Sequence, residues 1–493
     1  MINMIRFINQ NTIKKLMAEG IEIKKEDDLI GWYNQAVIKS EMLDFSAVKG
    51  FAVYRPYGYE MWERSVNYLD SNFKLFGVKN AYFPLLIPES MLSKEKEHIA
   101  KFNPEVAWVT MGGDTKLDER LAIRPTSETI MYDSYSKWIK SYRDLPLLIN
   151  QWNTMVRWET KETRLLLRGR ENLWQEGHCV FRTAEEADKN ARDILNVYKK
   201  FFEDMLAVPV LVGRKSESEK FAGAVTTYTV EAILPNNFMS QAATSHNLGQ
   251  NFSKPFDIKF LDESNELQYP FQTSWGISMR SIGVMLLVHG DNKGLVLSPH
   301  IAPYQCVIIP VIKDQKDAII EYCKQIESKL KEMNVRVILD SREEYSPGWK
   351  LNEYDLKGVP LKIQVGKREL DSKSVSLKAR INNEQSSLSF DEIEKLKDKL
   401  EEIHEKMLER AREDGKKRIK EENSKEAFVK EVKDSLYVVK ASWCGSPECE
   451  EKIKNETGAT SRLIPLENEG LINKKCIFCE NDAKVNAYFA KSY

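Results

Sequence analysis

The stretch "RWETKETRLLLRGRENLWQEGH", Arg157 to His178, gathers Arg157, Glu159, Lys161, Arg168 and Arg170 and closes on Trp174, Glu176 and His178. It carries too much charge for a core strand. Arginine keeps its charge, and its planar fork binds two oxygens at once. Arginines placed along a strand–loop–strand can therefore clamp a nucleotide's phosphates, with Glu159 accepting a hydrogen bond from the adenine amino group. The other reading of the same residues is a surface ladder of cross-strand ion pairs. Three further stretches bear on the choice. "IRPTSE" (123–128) offers Thr126 and Glu128 at a helix start. The helix dipole favours an anion there, and the Glu128 carboxylate suits a substrate ammonium. "AATSHNLGQNFSK" (242–254) sets Thr244, Ser245 and His246 side by side, and "TSWGISMR" (273–280) puts Ser278 and Arg280 before an apolar helical run. No arrangement like a Ser-His-Asp triad accompanies them.

A second group is made of sulfur. Cys444 and Cys449 form C-x4-C, and Cys476 and Cys479 form C-x2-C. Four thiolates satisfy tetrahedral zinc, and a closed site of this kind is structural because no position is left for water. Structural thiols without metal and disulfides are the alternatives. Cys179, Cys306 and Cys323 stand alone in apolar surroundings and read as buried thiols. Together these patterns suit a reducing cytoplasm.

The elements that position these groups follow from the rest of the chain. Its 493 residues suggest about two to four domains. A net charge of -1 means that a nucleic-acid partner must be held by a local basic patch. No apolar run reaches the length of a membrane span, and the opening residues do not read as a secretory signal. "NAYFPLLIP" (80–88) and "GLVLSPHIAP" (294–303) read as strands. "TSETIMYDSYSKWIKSY" reads as a helix with Ile130, Met131, Ser134, Tyr135, Trp138 and Ile139 on one face. From about residue 305, "QCVIIPVI", "VRVILD", "PLKIQVG" and "SVSLKAR" alternate with a helical stretch from Lys316 to Met333, which makes a compact α/β unit. Ser389 and Glu392 fit a capping box, and Ile393, Leu396, Leu400, Ile403 and Met407 line the helix that follows. Beyond Ala411 the mixed charges read as a solvated helix or linker.

These segments, in this order, resemble the class II aminoacyl-tRNA synthetases, and specifically the prolyl-tRNA synthetases of archaeal/eukaryotic type. The similarity runs from about Asp27 to Tyr493. "GYEMWERSVNYLDSNFKLFGVKNAYFPLLIP" resembles motif 1, with Pro84 at the dimer-forming strand. "RPTSE", "VRWE", "LRGRE", "WQEGH", "TSHNLGQNFSK" and "TSWGISMR" resemble the family's active-site segments. The resemblance implies an α+β chain: an N-terminal extension of unknown role (1–26) and a class II antiparallel-sheet catalytic domain (27–300). An α/β anticodon-binding domain (301–404) and a C-terminal α/β zinc-binding domain (405–493) follow. The implied activity is proline–tRNA ligation. L-Proline and ATP, with Mg²⁺, give prolyl-adenylate, and proline then passes to the 3′ end of tRNA(Pro). A homodimer in the cytoplasm is expected, with no membrane partner.

The resemblance also assigns residues. Thr126, Glu128, Arg157, Trp174, Glu176, His178 and His246 would form the proline site. Arg157, Glu159, Arg168, Gly169, Gln241, Ala242, Ala243, Thr244, Ser278 and Arg280 would form the ATP site, with Gln241 near magnesium. Phe102 would lie where the tRNA 3′ adenosine enters. Asp340, Arg342, Lys350, Lys362, Lys367 and Arg368 would face the anticodon. Cys444, Cys449, Cys476 and Cys479 would bind zinc, and the terminal Tyr493 would help order the active site. The interval between motifs 2 and 3 holds no room for a bacterial-type editing domain, so no hydrolysis of mischarged alanine is expected. Two positions depart from the family pattern. Asn172 stands where a phenylalanine stacks on adenine, and Ala243 stands where glycine is usual. A glycine held at positive φ would leave alanine strained. The competing readings are a class II synthetase for threonine or another small amino acid, with Cys179 beside His178 as its only nearby zinc ligand, and a synthetase-like tRNA-binding protein without full activity.

Overall fold

The computed structural model describes residues 20–92, 105–158, 163–467 and 474–493. Its organising feature is an eleven-stranded sheet. Seven strands belong to the catalytic region, in the order Lys79–Asn80, Leu147–Val156, Glu171–Phe181, Phe271–Ser278, Met239–Gly249, Thr226–Ile233 and Leu211–Arg214. All neighbours are antiparallel except the short Lys79–Asn80, which runs parallel to Leu147–Val156. Successive strand residues point to opposite faces, and the sequence uses this. In Glu171–Phe181, Gln175 turns to the helix Ala184–Lys200, where it accepts a hydrogen bond from the Tyr198 hydroxyl at 2.7 Å. Cys179 shares that apolar face, within the main core. The alternate residues Trp174, Glu176 and His178 turn the other way.

The helix of the "IRPTSE" segment spans Glu128–Trp138. Its buried face is Glu128, Met131, Tyr132 and Tyr135, while Trp138 is exposed, so the helix is rotated from the face its apolar pattern predicts. Tertiary contact wins here: the Tyr132 hydroxyl meets His178 Nδ1 at 2.9 Å. The segment 294–303 is not a strand. Its Leu295 and Leu297 amides donate to the Leu356 and Gly358 carbonyls, and it then turns at Ser298, whose carbonyl accepts from the Ile301 and Ala302 amides.

The α/β unit carries a five-stranded sheet ordered Val337–Leu339, Cys306–Pro310, Leu361–Val365, Ser374–Ala379, Gln385–Ser389. Its last strand and the helix Pro347–Leu356 are additions to the elements read from sequence. Ser389 forms no capping box: a 3-10 turn, Phe390–Lys395, comes first, and the helix runs Leu396–Arg418 with Leu400, Ile403 and Met407 buried. That helix crosses the expected boundary at 404/405, because its apolar stripe continues to Ala411 under a surface of mixed charge. The C-terminal region continues from there with the strand Ile419–Glu421. Its strands Thr460–Pro465, Val485–Ala490 and Val438–Trp443 extend the catalytic sheet through Ile464–Arg214 and Pro465–Gly213 pairs. At the other end, residues 20–26 already belong to the catalytic core. Ile21 and Ile23 pack on it, and the Lys25 ammonium donates to the Gly290 carbonyl at 2.6 Å.

Candidate active site

Antiparallel register assembles the site in rows. One row reads His178, Ser274, His246, Thr227, and the next reads Gln151, Glu176, Gly276, Thr244, Thr229. A third row pairs Asn153 and Trp174 with Ser278. These residues come from five strands, yet they share one face of the sheet. A cavity of about 530 Å³ lies on that face. Gly276 is required there, since a Cβ at this position would sit 2.6 Å from the Trp174 ring.

One end of the cavity is positive. Arg157, Arg168 and Arg280 line it, and none makes an ion pair among the described residues. The Arg280 Nε donates to the Leu167 carbonyl at 2.8 Å. Burial first, then the charges of Arg157 and Arg168, hold its guanidinium down at about 10. Arg157 lies 5.9 Å from the Trp174 ring centroid. Gln241, Ala242, Ala243, Thr244, Ser278 and Gly169 complete this end.

The other end is a buried polar network. Glu176 accepts from the Asn153 amide at 2.6 Å, the Gln151 amide at 3.3 Å and the Ser127 hydroxyl, and its second oxygen lies 3.2 Å from His178 Nε2. Glu128, Glu176 and His178 offer ligand atoms within 4.8 Å of one another. The oxygens of Glu176 are already committed within the protein, so the trio reads as a hydrogen-bond network. Burial opposes the charge on both members of the pair. For His178 the Glu176 hydrogen bond and the nearby carboxylates outweigh it and raise the pKa, and for Glu176 the His178 contacts outweigh it and lower the pKa. The Thr126 hydroxyl donates to Glu128. His246 bonds Thr227 at 2.9 Å and lies 4.8 Å from the Phe221 ring. Burial, then His178, pushes it down to about 3, so it is neutral.

All the site residues read from the motifs line this cavity except two. Glu159 and Phe102 lie outside the described residues. Asn172 also lines the cavity, with its amide donating to the Gly169 carbonyl at 3.0 Å, where it closes the loop turn. Ala243 sits in extended strand opposite Val230 and Ile277 and is not among the positive-φ residues, so it carries no glycine-type strain. Sequence reading did not single out Met155, Glu219, Phe221 or Thr227 as cavity residues. Cys179 faces away from His178 into the core and cannot join it in holding an ion. The terminal Tyr493 reaches the cavity: its amide donates to the Met239 carbonyl at 3.2 Å, and the Arg164 guanidinium lies 5.0 Å from its ring centroid.

Two more groups lie away from the cavity. Among the residues expected to face the anticodon, Lys362 is fully buried and paired with Asp355. Lys350 and Asp340 are buried too, with the Lys350 ammonium on the Asp340 carbonyl at 2.9 Å. These three form buried ion pairs within the domain, Lys350 with Asp340 and Lys362 with Asp355. Lys367 and Arg368 are exposed, and Arg342 pairs with Asp340 and Glu353 while lying 4.9 Å from the Tyr345 ring. Tyr345 stacks on Trp349 at 3.8 Å, an aromatic platform absent from the sequence reading. In the last domain, the Cys449–Cys476 and Cys444–Cys479 sulfurs are 3.8 and 3.6 Å apart, and all four lie within 4.8 Å of one another. Tetrahedral zinc with bonds of about 2.3 Å sets its sulfurs about 3.8 Å apart, so the four thiols fit that ion.

Comparison with known proteins agrees with this layout. Residues 108–289 match the family model "tRNA synthetase class II core domain (G, H, P, S and T)", residues 305–400 match "Anticodon binding domain", and residues 425–493 match "Prolyl-tRNA synthetase, C-terminal". A proline–tRNA ligase of Alkaliphilus oremlandii is 49% identical over 95% of this chain and 97% of its own length. That of Natranaerobius thermophilus is 46% identical over 98% and 99%. A crystal structure of prolyl-tRNA synthetase from Cryptosporidium parvum, complexed with halofuginone and AMPPNP, superposes with a TM-score of 0.93. It is 42% identical and covers 96% of this chain and 97% of its own. Identity of this order along almost the whole length shows that the chain belongs to the prolyl-tRNA synthetases, the class II proline–tRNA ligases.

Proposed function

We propose that L-proline and ATP lie side by side in the 530 Å³ cavity, with proline at the Glu128–His246 end and the phosphates between Arg157 and Arg280. The observation that carries this reading is the convergence of these groups on one sheet face. The prolinium nitrogen meets the Glu128 carboxylate and Thr126. A neutral His246 adds no repelling charge. The proline carboxylate turns to Arg157, which also meets the α-phosphate. ATP enters as its magnesium complex, and Gln241 lies on the side of that ion. A carboxylate oxygen attacks the α-phosphorus in line. The bond to the β-phosphate oxygen breaks, and its electron pair leaves with pyrophosphate. A ribose hydroxyl of the tRNA end then attacks the acyl carbon and AMP departs. Positioning and neutralisation of the developing charge supply the catalysis, and no protein nucleophile is needed.

Four thiolates at Cys444, Cys449, Cys476 and Cys479 hold a structural zinc ion. Lys367, Arg368 and the half-buried Tyr345–Trp349 platform serve the anticodon loop, whose unpaired bases can stack on aromatic rings. The chain acts as a cytoplasmic homodimer. Leu75 (83% exposed), Tyr82 (71%), Phe76, Leu85 and Trp138 form an apolar surface around the motif 1 region that a second copy would cover. No helix among the described residues is long and apolar enough to cross a membrane. Tyr493 orders the nucleotide end through Arg164. The chain does not edit alanyl-tRNA. The test is proline-dependent ATP–pyrophosphate exchange by the purified protein: robust exchange with proline and little with threonine is expected, and absence of proline-dependent exchange would refute the reading.

A further inference from the structure

A second hollow, of about 310 Å³, lies where three parts of the chain meet. The strands Leu211–Arg214 and Thr226–Ile233, the helix Leu396–Arg418 and the strand Ile419–Glu421 all contribute to it. Its wall is apolar, with Val208, Val210, Ile233 and Val288. Its rim carries Arg410, Arg412, Lys416 and Arg418 together with the carboxylates of Glu203, Glu231 and Asp414.

Arg410 and Arg418 lack matching anions. Arg410 reaches only the His289 carbonyl, at 3.5 Å, and Arg418 donates to the Pro235 carbonyl at 2.6 Å and the Asn237 side-chain oxygen at 3.0 Å. Neither makes an ion pair among the described residues. Lys25 adds a third positive charge close by, and burial followed by Arg410 holds its ammonium down at about 8. The acids nearby are committed elsewhere. Glu231 pairs with Lys215 and Arg462, Glu203 with Arg412 at 3.5 Å, and Asp291 with Arg380 at 2.6 Å. Asp414 faces both arginines, and Asp291 also acts on Arg410 without pairing with it. Burial lowers the pKa of both Arg410 and Arg418, so the protein holds two half-desolvated guanidinium groups beside a cavity with apolar walls. A pocket of this size, mostly apolar with a few convergent polar groups, has the form of a small-molecule site.

We propose that this hollow is a second binding site, distinct from the catalytic cavity, for a compact organic anion. A carboxylate or sulfonate would meet Arg410 and Arg418, and an apolar body would lie on Val210, Ile233 and Val288. Charge complementarity selects the anion, and the wall selects against inorganic phosphate.

The test uses 1-anilinonaphthalene-8-sulfonate on the full-length protein, with proline and ATP saturating so that the catalytic cavity is filled. The expected result is a saturable one-to-one fluorescence rise that persists under these conditions. The double variant Arg410→Gln/Arg418→Gln should weaken it at least ten-fold. Val210→Trp, which fills the hollow, should abolish it while proline-dependent exchange stays within two-fold. Hydrogen exchange on the unmodified protein gives a measurement independent of variant folding: the probe should protect amides in 410–419. Displacement of the probe by proline and ATP, affinity unchanged in the double variant, or no protection of 410–419 would overturn the proposal.

Discussion

Arg280 is held at about 10 by burial and by two neighbouring arginines, so the cavity keeps a cationic cluster at the cost of its solvation. A polyphosphate removes that penalty. Replacing Arg280 or Arg157 with Ala should lower kcat/KM for proline-dependent exchange by about 100-fold or more, the effect expected when a charge-stabilising donor is removed. A change under about three-fold in pyrophosphate-exchange kinetics would contradict the assignment. The Glu176–His178 pair has a defined pH window. The pKa of His178 is raised, so the stability it adds is fully present below the unfolded value of 6.5 and is lost as pH rises through the folded value. The pKa of Glu176 is lowered, so its contribution is present above 4.5 and is lost as pH falls through the folded value. Glu176→Gln removes both a hydrogen bond and a charge from His178. The His178 pKa, followed by NMR, should therefore fall, and an unchanged titration would show that the pair does not set it.

Strand register explains why residues from Thr126 to Tyr493 reach one place, and it makes glycine a working part. Gly276→Val would drive the Trp174 ring from its seat 2.6 Å from the added Cβ. The expected outcome is a rise in KM for proline of at least ten-fold with the fold retained by circular dichroism. Removal of the last three residues takes away the Tyr493–Met239 backbone bond and the Arg164 contact. Exchange should slow, and unchanged kinetics would show that the terminus is idle. The motifs made most of this site legible in the sequence, because each active-site segment is a short run on one strand or loop. Thr227 and Phe221 were not legible: Thr227 takes its place by pairing with His246 across the sheet, and Phe221 by donating its amide to the Thr227 hydroxyl. Lys362 shows a burial the sequence did not display: a lysine on a β-branched strand, expected to face the anticodon, is held inside by Asp355, seven residues before it. The helix Leu396–Arg418 runs on beyond Ala411 as a solvated helix, one of the two readings its mixed charges allowed.

The catalytic and C-terminal regions share one sheet and one buried ion cluster. Glu231 on the catalytic side takes Lys215 and, from the C-terminal strand, Arg462 at 3.1 Å. Glu231→Gln leaves two buried cations without a counterion and should cost about 3–5 kcal/mol, read as a fall in the denaturation midpoint. Stability within about 0.5 kcal/mol of the parent would contradict the cluster's role. The same continuity predicts that a chelator removing the zinc proposed for the four cysteines lowers both the unfolding temperature and exchange activity, since the strands Val438–Trp443 and Val485–Ala490 are tied to the site through Thr460–Pro465. The most direct measurement is a crystal structure of the protein with proline and a non-hydrolysable ATP analogue. The phosphates should lie between Arg157 and Arg280, with the imino nitrogen on Glu128 and the ring beside His246. Ligands bound with those side chains on no common substrate would contradict the account.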